Sequence, residues 1–220
     1  MRKRSFVVTL FILAMVALVF ANTAGPNLAG TGGTSGTCNG STIFCWTSPG
    51  NITANDGVNA QVALGSSAPS NELQGTNFGF AIPAGSTING ITVEIKKQAV
   101  SGSGNPTDLD VTILKGGIAT GTNLGHLGAG NGWLTAGGID TYGGSSTLWG
   151  ATWTPADINA SNFGVQISCT EWVGLPATAG VDFIRITITY TPPAPPPTGG
   201  KHRVIETQVR DGRPELRLPA

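Results

Sequence analysis

The sequence predicts an all-β protein, an antiparallel β-sandwich of the jelly-roll type with one short helical turn near residues 155–160. Several short segments alternate apolar and polar residues with a period of two. Clusters of Gly, Pro, Asn and Asp separate these segments. No longer segment has the 3.6-residue apolar period of a helix. Short strands without crossover helices favour a sandwich, and because the Cys and Trp spacing of an immunoglobulin domain is missing, a jelly roll is preferred.

The N-terminal residues differ in composition from the rest of the chain. A basic MRKR precedes the apolar run FVVTLFILAMVALVF and the small-x-small site at Val19-Phe20-Ala21. This order is typical of a secretory signal peptide, so residues 1–21 are predicted to be one, cleaved after Ala21. The alternative is an uncleaved membrane anchor, although the apolar run is short for the roughly 20 residues of a bilayer span. Residues 22–37, rich in Gly, Thr and Ser, are predicted to be a flexible leader.

Residues 38–191 are predicted to form the sandwich. The clearest strand is INGITVEIKKQAV, which places Ile91, Val93 and Ile95 on one face and polar side chains on the other. DLDVTIL, NFGVQIS and DFIRITITY repeat the pattern, with these predicted inward residues: Leu109, Val111, Ile113, Phe163, Val165, Ile167, Ile184, Ile186, Ile188 and Tyr190. Weaker strands are expected at residues 43–46, 58–64 and around 78–80.

The aromatic-rich stretch LWGATWTPADINASNFGV favours a structural role over a binding motif. Trp149 and Trp153 lie four residues apart, which in a strand places both on one face. Thr154 is a good helix N-cap, Pro155 suits the first helical position and Asp157 can reach back to the cap amide. This segment therefore predicts two core anchors followed by one capped helical turn.

The three cysteines indicate an oxidising compartment. Cys38 and Cys45 bracket the short loop NGSTIF and are predicted to form a disulfide, because two sulfurs so close in sequence meet often in the unfolded chain. The alternative is three buried free thiols. Cys169 is left over. No zinc site is predicted, since neither His126 nor His202 stands at a ligand spacing from a cysteine.

After the last predicted strand the composition changes twice. TPPAPPPTGG predicts a stiff proline-rich linker at residues 192–200. Residues 201–220 are rich in charge and form either a solvated tail or an arm that orders on a partner. RVIETQVR has the pattern of one strand, which an arm can add to the sheet edge of another subunit.

Composition and motifs argue against an enzyme. Charged residues make up 11% of the chain and the formal net charge is zero, so no basic surplus predicts nucleic-acid binding. The chain has no serine elbow and no phosphate-binding glycine motif. Asp108 and Asp110 alternate in register as a hydrolytic or calcium pair would, but aspartates beside a turn explain them better. No catalytic residue, metal or cofactor is predicted.

Five tryptophans are the remaining candidates for a binding surface. Flat apolar rings suit the C–H face of a sugar, whereas a buried Trp anchors a core. Trp133 and Trp172 have loop-like contexts and are the predicted exposed residues of a ligand site.

The order of SPGNITANDG, ELQGTNFGFAIPAGSTINGITVEIKK, DLDVTILKGG, LWGATWTPADINASNFGVQI and VDFIRITITYTP carries a resemblance. It resembles a recurrent β-sandwich module of unassigned function found in bacterial surface and phage structural proteins, over about Trp46 to Pro192. The resemblance implies a structural or adhesive part of an extracellular assembly and transfers no catalytic residue. The predicted export signal favours a cell-surface or secreted protein over a virion protein.

Together these observations predict a non-enzymatic exported subunit of a cell-surface layer, filament or appendage. Its expected partners are copies of itself or other surface proteins, through sandwich contacts and the C-terminal arm. The alternative is a carbohydrate-binding module or adhesin that binds a glycan with exposed tryptophans. Membrane contact is expected only through the N-terminal segment, if it is retained.

Overall fold

The structure, a computed structural model, describes residues 20–65 and 67–196 together with the backbone of two C-terminal strands. Residues 1–19, and with them nearly all of the predicted signal peptide, lie outside this description. The strands in chain order are β1 Asn22–Leu28, β2 Thr31–Ser35, β3 Ala60–Leu64, β4 Glu72–Thr76, β5 Thr87–Gly102, β6 Pro106–Lys115, β7 Ile118–Thr120, β8 Gly138–Gly144, β9 Gly164–Glu171, β10 Ala177–Thr191, β11 Thr207–Arg210 and β12 Arg213–Leu216.

Two five-stranded antiparallel sheets pack face to face and confirm the predicted sandwich. When only strands β3 to β10 are considered, the first sheet has the order β3-β10-β5-β8 and the second has the order β4-β9-β6-β7. Strands that follow one another along the chain mostly lie in opposite sheets, and this is jelly-roll topology. β1 pairs with the same edge of β10 as β3, further along that strand, and β2 extends the second sheet beside β4.

The core lies between the sheets, where the period-two prediction places it. Ile91, Val93 and Ile95 of β5 are completely buried, and the predicted apolar positions of β9 and β10 are buried or half-buried. Leu109 is the exception, with 40% of its surface exposed. The register of β6 shifts between Asp108 and Asp110, so Leu109 is the extra residue of a bulge and does not follow the alternation.

The predicted flexible leader is wrong, because residues 22–35 supply one strand to each sheet. β1 pairs with β10 and β2 pairs with β4. Glycine is required at one position of β2, because a Cβ on Gly32 would lie 2.0 Å from the Pro49 carbonyl oxygen. Gly32 thus permits close approach of the Pro49 backbone to β2, and the sandwich begins at Asn22, before the predicted start at residue 38.

The weaker strand predictions are confirmed only in part. Within residues 43–46 only Phe44 forms an isolated bridge, with Ser70, and residues 78–80 form no strand, although Phe44, Phe78 and Phe80 are buried. β3 falls within the predicted 58–64. A short 3-10 turn, Pro49–Ile52, was not predicted.

The helical turn α1, Pro155–Asn159, is confirmed together with its cap. The Thr154 hydroxyl accepts a hydrogen bond from the Asp157 amide, and the Asp157 carboxylate accepts one from the Thr154 amide. Trp149 and Trp153 are buried as predicted, but not on a strand: Trp149 has a positive φ of 57° in a turn. Their indole nitrogens donate to the carbonyls of Ile91 and Leu148.

The C-terminal segment contains β11 and β12, which pair with each other as an antiparallel hairpin. Residues 192–196, the described part of the predicted linker, have no regular structure. Residues 197–206, 211–212 and 217–220 lie outside the description.

Candidate functional site

Trp133 does not form the exposed surface that its glycine-rich context predicts. Only 4% of its surface is exposed, and its indole nitrogen donates to Oδ1 of Asp108 at 2.9 Å. The expectation of an exposed Trp133 is therefore wrong. The ring is buried because its indole N–H has a buried acceptor in Asp108 of β6, which lies 25 residues earlier in the chain.

Trp172 is exposed as predicted, with 55% of its surface accessible. It begins the loop between β9 and β10, which also exposes Val173 and Leu175. Leu127, 51% exposed, belongs to the neighbouring loop, where a Cβ on Gly128 would lie 3.6 Å from the Trp172 ring. We call the two neighbouring loop segments with these four exposed apolar residues, Leu127, Trp172, Val173 and Leu175, the apolar tip.

A buried carboxylate fixes the backbone of the loop that carries Trp172. Glu171 is 1% exposed, and its carboxylate accepts backbone hydrogen bonds from Asn105, Val173 and Leu175 at 2.7 to 3.0 Å. Burial opposes ionisation of Glu171, but these backbone donors outweigh it and lower the pKa of the carboxyl below its ordinary value. The loop is therefore pre-organised around a charged anchor.

A second group of polar residues lies inside the sandwich. Lys97 of β5 and Asp108 of β6 face each other across the core, with Nζ of Lys97 2.5 Å from Oδ1 of Asp108. Nζ also lies 2.9 Å from Oδ2 of Asp140 and 2.5 Å from the hydroxyl oxygen of Tyr142. The side chains of Lys97 and Asp108 are 3% and 0% exposed, whereas that of Asp140 is 41% exposed.

The Asp108 carboxylate accepts hydrogen bonds at both oxygens besides its contact with Lys97. The backbone amide of His126 and the hydroxyl of Tyr142 each donate to Oδ2 at 2.8 Å. The rings of Trp133 and Tyr142 lie 5.0 and 5.2 Å from Nζ of Lys97, in cation–π geometry. We call Lys97, Asp108, His126, Trp133, Asp140 and Tyr142 the ionic cluster.

Ionisation of the cluster follows from these contacts. Burial would raise the pKa of Asp140, but hydrogen bonding to Lys97 and the charges of Lys97 and His126 lower it below its ordinary value. Burial, followed by the charge and hydrogen bond of Asp108, raises the pKa of Tyr142 far above its ordinary value. Tyr142 is thus a neutral hydrogen-bond donor at any physiological pH.

Three members of the ionic cluster have the atoms of a metal site. The ligand atoms of Asp108, His126 and Asp140 lie within 4.8 Å of one another. However, the ammonium of Lys97 already contacts both carboxylates. A metal ion would meet a positive charge at this position, so the cluster does not fit a metal.

The Asp108 and Asp110 pair suggested by the sequence is separated by the bulge in β6. Asp108 pairs in register with Cys169, which faces the core, and Asp110 pairs with Ser168 on the other face of β9. Asp110 there accepts hydrogen bonds from Thr112 and Gln166. The two carboxylates therefore cannot act together, and the one that approaches Asp108 comes from Asp140 in β8.

The predicted disulfide between Cys38 and Cys45 is present, with the two Cα atoms 5.3 Å apart. Cys169 is a buried free cysteine. Burial raises the pKa of its thiol to about 12, only partly offset by a hydrogen bond with Ser70, so this cysteine is unreactive.

Sequence reasoning missed the ionic cluster, although part of its signal was present. The alternation that places Ile91, Val93 and Ile95 inward continues to Lys97. An inward lysine in a core strand requires a buried partner. Neither Asp140 nor Tyr142 carries a local signal that would identify this partner.

The fold and these two features define an all-β jelly-roll protein with a charged core and an apolar tip. No protein-family model, curated protein or solved structure matches the chain. The resemblance to surface and phage modules therefore remains a prediction. In the part of the chain that the structure describes, no helix is both long and apolar enough to cross a membrane.

Proposed function

We propose that the protein is a non-enzymatic, exported structural protein that assembles with further copies of itself through the apolar tip. The observation that carries this proposal is the exposure of Trp172 on a loop whose backbone is hydrogen-bonded to the buried Glu171 carboxylate. Exposed aromatic residues in a pre-organised loop are typical anchors of protein interfaces, because little side-chain and backbone freedom is lost on binding.

Charge supports a second copy as the partner. The chain has a formal net charge of zero and only 11% charged residues, so copies repel one another weakly and associate readily. The disulfide between Cys38 and Cys45 is consistent with an extracellular location. The hairpin of β11 and β12 provides the second proposed contact, as an arm beyond the proline-rich segment.

Sedimentation velocity over a range of protein concentrations tests the tip. We expect concentration-dependent association, weakened about tenfold or more by Trp172→Ser because the central aromatic of an interface contributes about 2 kcal/mol. Val58→Ser is the matched control, because Val58 is as exposed as Trp172, at 54%. Val58 is also distant from the tip: it precedes the first residue of β3, whereas the last residue, Leu64, pairs with Ala177 beside the tip. A protein that stays monomeric, or an equal effect of both variants, contradicts the proposal.

The arm is tested separately by removing residues 201–220. If the arm contacts a neighbouring subunit, the truncated protein associates more weakly while its sandwich keeps the same circular dichroism spectrum. Unchanged association removes the arm from the proposal and leaves the tip in place. Electron microscopy of the purified protein shows whether the assemblies are filaments, layers or closed oligomers.

A carbohydrate-binding protein is the second candidate, favoured by the exposed ring of Trp172 alone. Trp133 is buried and so cannot stack on a sugar. A glycan array on which the protein binds, with binding lost in Trp172→Ala and kept in Val58→Ser, supports this candidate. An empty array, or binding that does not depend on Trp172, rejects it.

A further inference from the structure

Lys97 and Asp108 form a buried pair that joins the two sheets. Lys97 lies in β5 of the first sheet and Asp108 in β6 of the second, with their side chains 3% and 0% exposed. Withdrawing two charges from water costs free energy that their mutual attraction often fails to recover, and apolar residues of similar size would avoid this cost. A purely stabilising role is thus a weak explanation for the pair.

The surroundings of the pair resemble a reaction centre. The lysine nitrogen is in contact with the carboxyl group at 2.5 Å, and a second carboxylate, Asp140, lies 2.9 Å from the same nitrogen. We propose that Lys97 and Asp108 condense to an intramolecular amide that covalently links the two sheets. This inference does not depend on the proposed assembly function.

The condensation balances without any co-reactant. Nζ of Lys97 attacks Cγ of the Asp108 carboxyl, the Nζ–Cγ bond forms and the Cγ–Oδ1 bond breaks. Of the three protons on the Lys97 ammonium, one stays on the amide nitrogen and two leave on Oδ1 as water. The products are one amide and one water molecule, with no change in oxidation state.

Each neighbouring group has a defined part in this step. Asp140 takes a proton from Nζ and passes it to the departing Oδ1, since its carboxylate contacts the nitrogen. The His126 amide and the Tyr142 hydroxyl hold Oδ2, on which negative charge develops in the tetrahedral intermediate. Trp133 donates to Oδ1 and fixes the plane of the carboxyl group.

Proximity and burial together favour the amide. Well-oriented intramolecular groups react as if present at about 10⁵ M or more, which no pair of free reactants in water can reach. The aromatic rings of Trp133 and Tyr142 beside Nζ limit access of water to the bond, and water is the reactant of the reverse hydrolysis.

The chain contains its own comparison in a second lysine–aspartate pair. Lys96 lies 2.6 Å from Asp182, but the Lys96 side chain is 35% exposed. Among the residues that the structure describes, Lys96 has no second carboxylate at ion-pair distance, unlike Lys97. The Lys96 pair is therefore expected to remain an ordinary salt bridge.

Mass spectrometry of the full-length, purified, reduced and denatured protein tests the inference. We expect a mass one water molecule lower than that calculated for the polypeptide from its observed N-terminus. Tandem spectra of proteolytic fragments should show a branched peptide joining Lys97 to Asp108, with Lys96 and Asp182 unlinked. An unmodified mass after long incubation of the folded protein at neutral pH overturns the proposal, as does a water loss located elsewhere, such as a cyclic imide at Asp56-Gly57.

Asp140→Asn tests whether the linkage needs the Asp140 carboxylate or only the proximity of Lys97 and Asp108. This variant keeps Lys97 and Asp108 but replaces the proton-accepting carboxylate, so linked protein should accumulate at least tenfold more slowly. Glu94→Gln is the matched control, because it removes an ion-pairing carboxylate from the outer face of the same strand, β5. Linkage at the wild-type rate in Asp140→Asn overturns the role of Asp140, and slowing in both variants would attribute the effect to loss of stability.

Discussion

Glu72 lies on the outer face of the second sheet, in β4, close to the Asp110 carboxylate of β6. Partial burial raises the pKa of Glu72 to about 7, and the charge of Asp110 adds to the increase while Ser168 opposes it. The ordinary value is 4.5, so the folded protein binds this proton more tightly than the unfolded chain. The contribution of Glu72 to stability is therefore fully present below its ordinary pKa of 4.5 and is lost as the pH rises through about 7.

Glu72→Gln should remove this loss. When the pH is raised from about 4 to about 8, the free energy of unfolding of the variant should increase by about 1–2 kcal/mol relative to that of the wild type. This estimate is reduced for the partial exposure of the side chain. Urea unfolding at the two pH values measures the difference. A parallel pH dependence in both proteins would show that Glu72 ionises normally.

Single residues also show where sequence reasoning reaches its limit. The burial of Ile91, Val93 and Ile95 follows from alternation alone. The position of Trp133 depends on a hydrogen bond from its indole to the carboxylate of Asp108, which lies in β6 and is distant in sequence. The alternation predicts Leu109 inward, because no local pattern indicates that Leu109 is the extra residue of a bulge.

At the scale of elements, α1 is the case in which local sequence is sufficient. Its capping interactions join residues three apart, so the four residues TPAD are sufficient to predict the start of the helical turn. β1 and β2 are the opposite case. Their backbones pair with β10 and β4, and Gly32 is required by the approach of Pro49, so only the folded sandwich identifies them as strands.

Thr154→Ala tests the contribution of the cap. Loss of the hydroxyl leaves the Asp157 amide without its acceptor, and we expect the free energy of unfolding to fall by about 1 kcal/mol. Thr152→Ala, at an exposed position two residues earlier, should change it by less than about 0.5 kcal/mol. Chemical denaturation of both variants gives the comparison, and equal effects would assign no role to the cap.

At the scale of the whole molecule, the class of fold was predictable and the pairing of strands was not. Alternation and turn residues indicate a sandwich, because each strand must bury one face. Which strand lies beside which depends on contacts between distant residues, as between β5 and β10. The ionic cluster escaped prediction for the same reason, since β5, β6 and β8 contribute to it.

The disulfide also affects the stability of the whole molecule, because it lowers the conformational entropy of the unfolded chain. Cys38 and Cys45 are seven residues apart, and closing a loop of this length is expected to stabilise the fold by roughly 2 kcal/mol. The double variant Cys38→Ser with Cys45→Ser should lower the free energy of unfolding by this amount. A reducing agent should destabilise the wild type to the level of the variant and leave the variant unchanged; an effect on both would point to another cause.

The uneven burial of the tryptophans makes the apolar tip optically accessible. Four of the five indoles, those of Trp46, Trp133, Trp149 and Trp153, are buried, and only Trp172 is exposed. A small aqueous quencher such as iodide therefore reaches a single emitter. When a second copy or a sugar covers the tip, the quenchable fraction disappears and the emission shifts to shorter wavelength, so the native protein reports occupancy of this surface without a label.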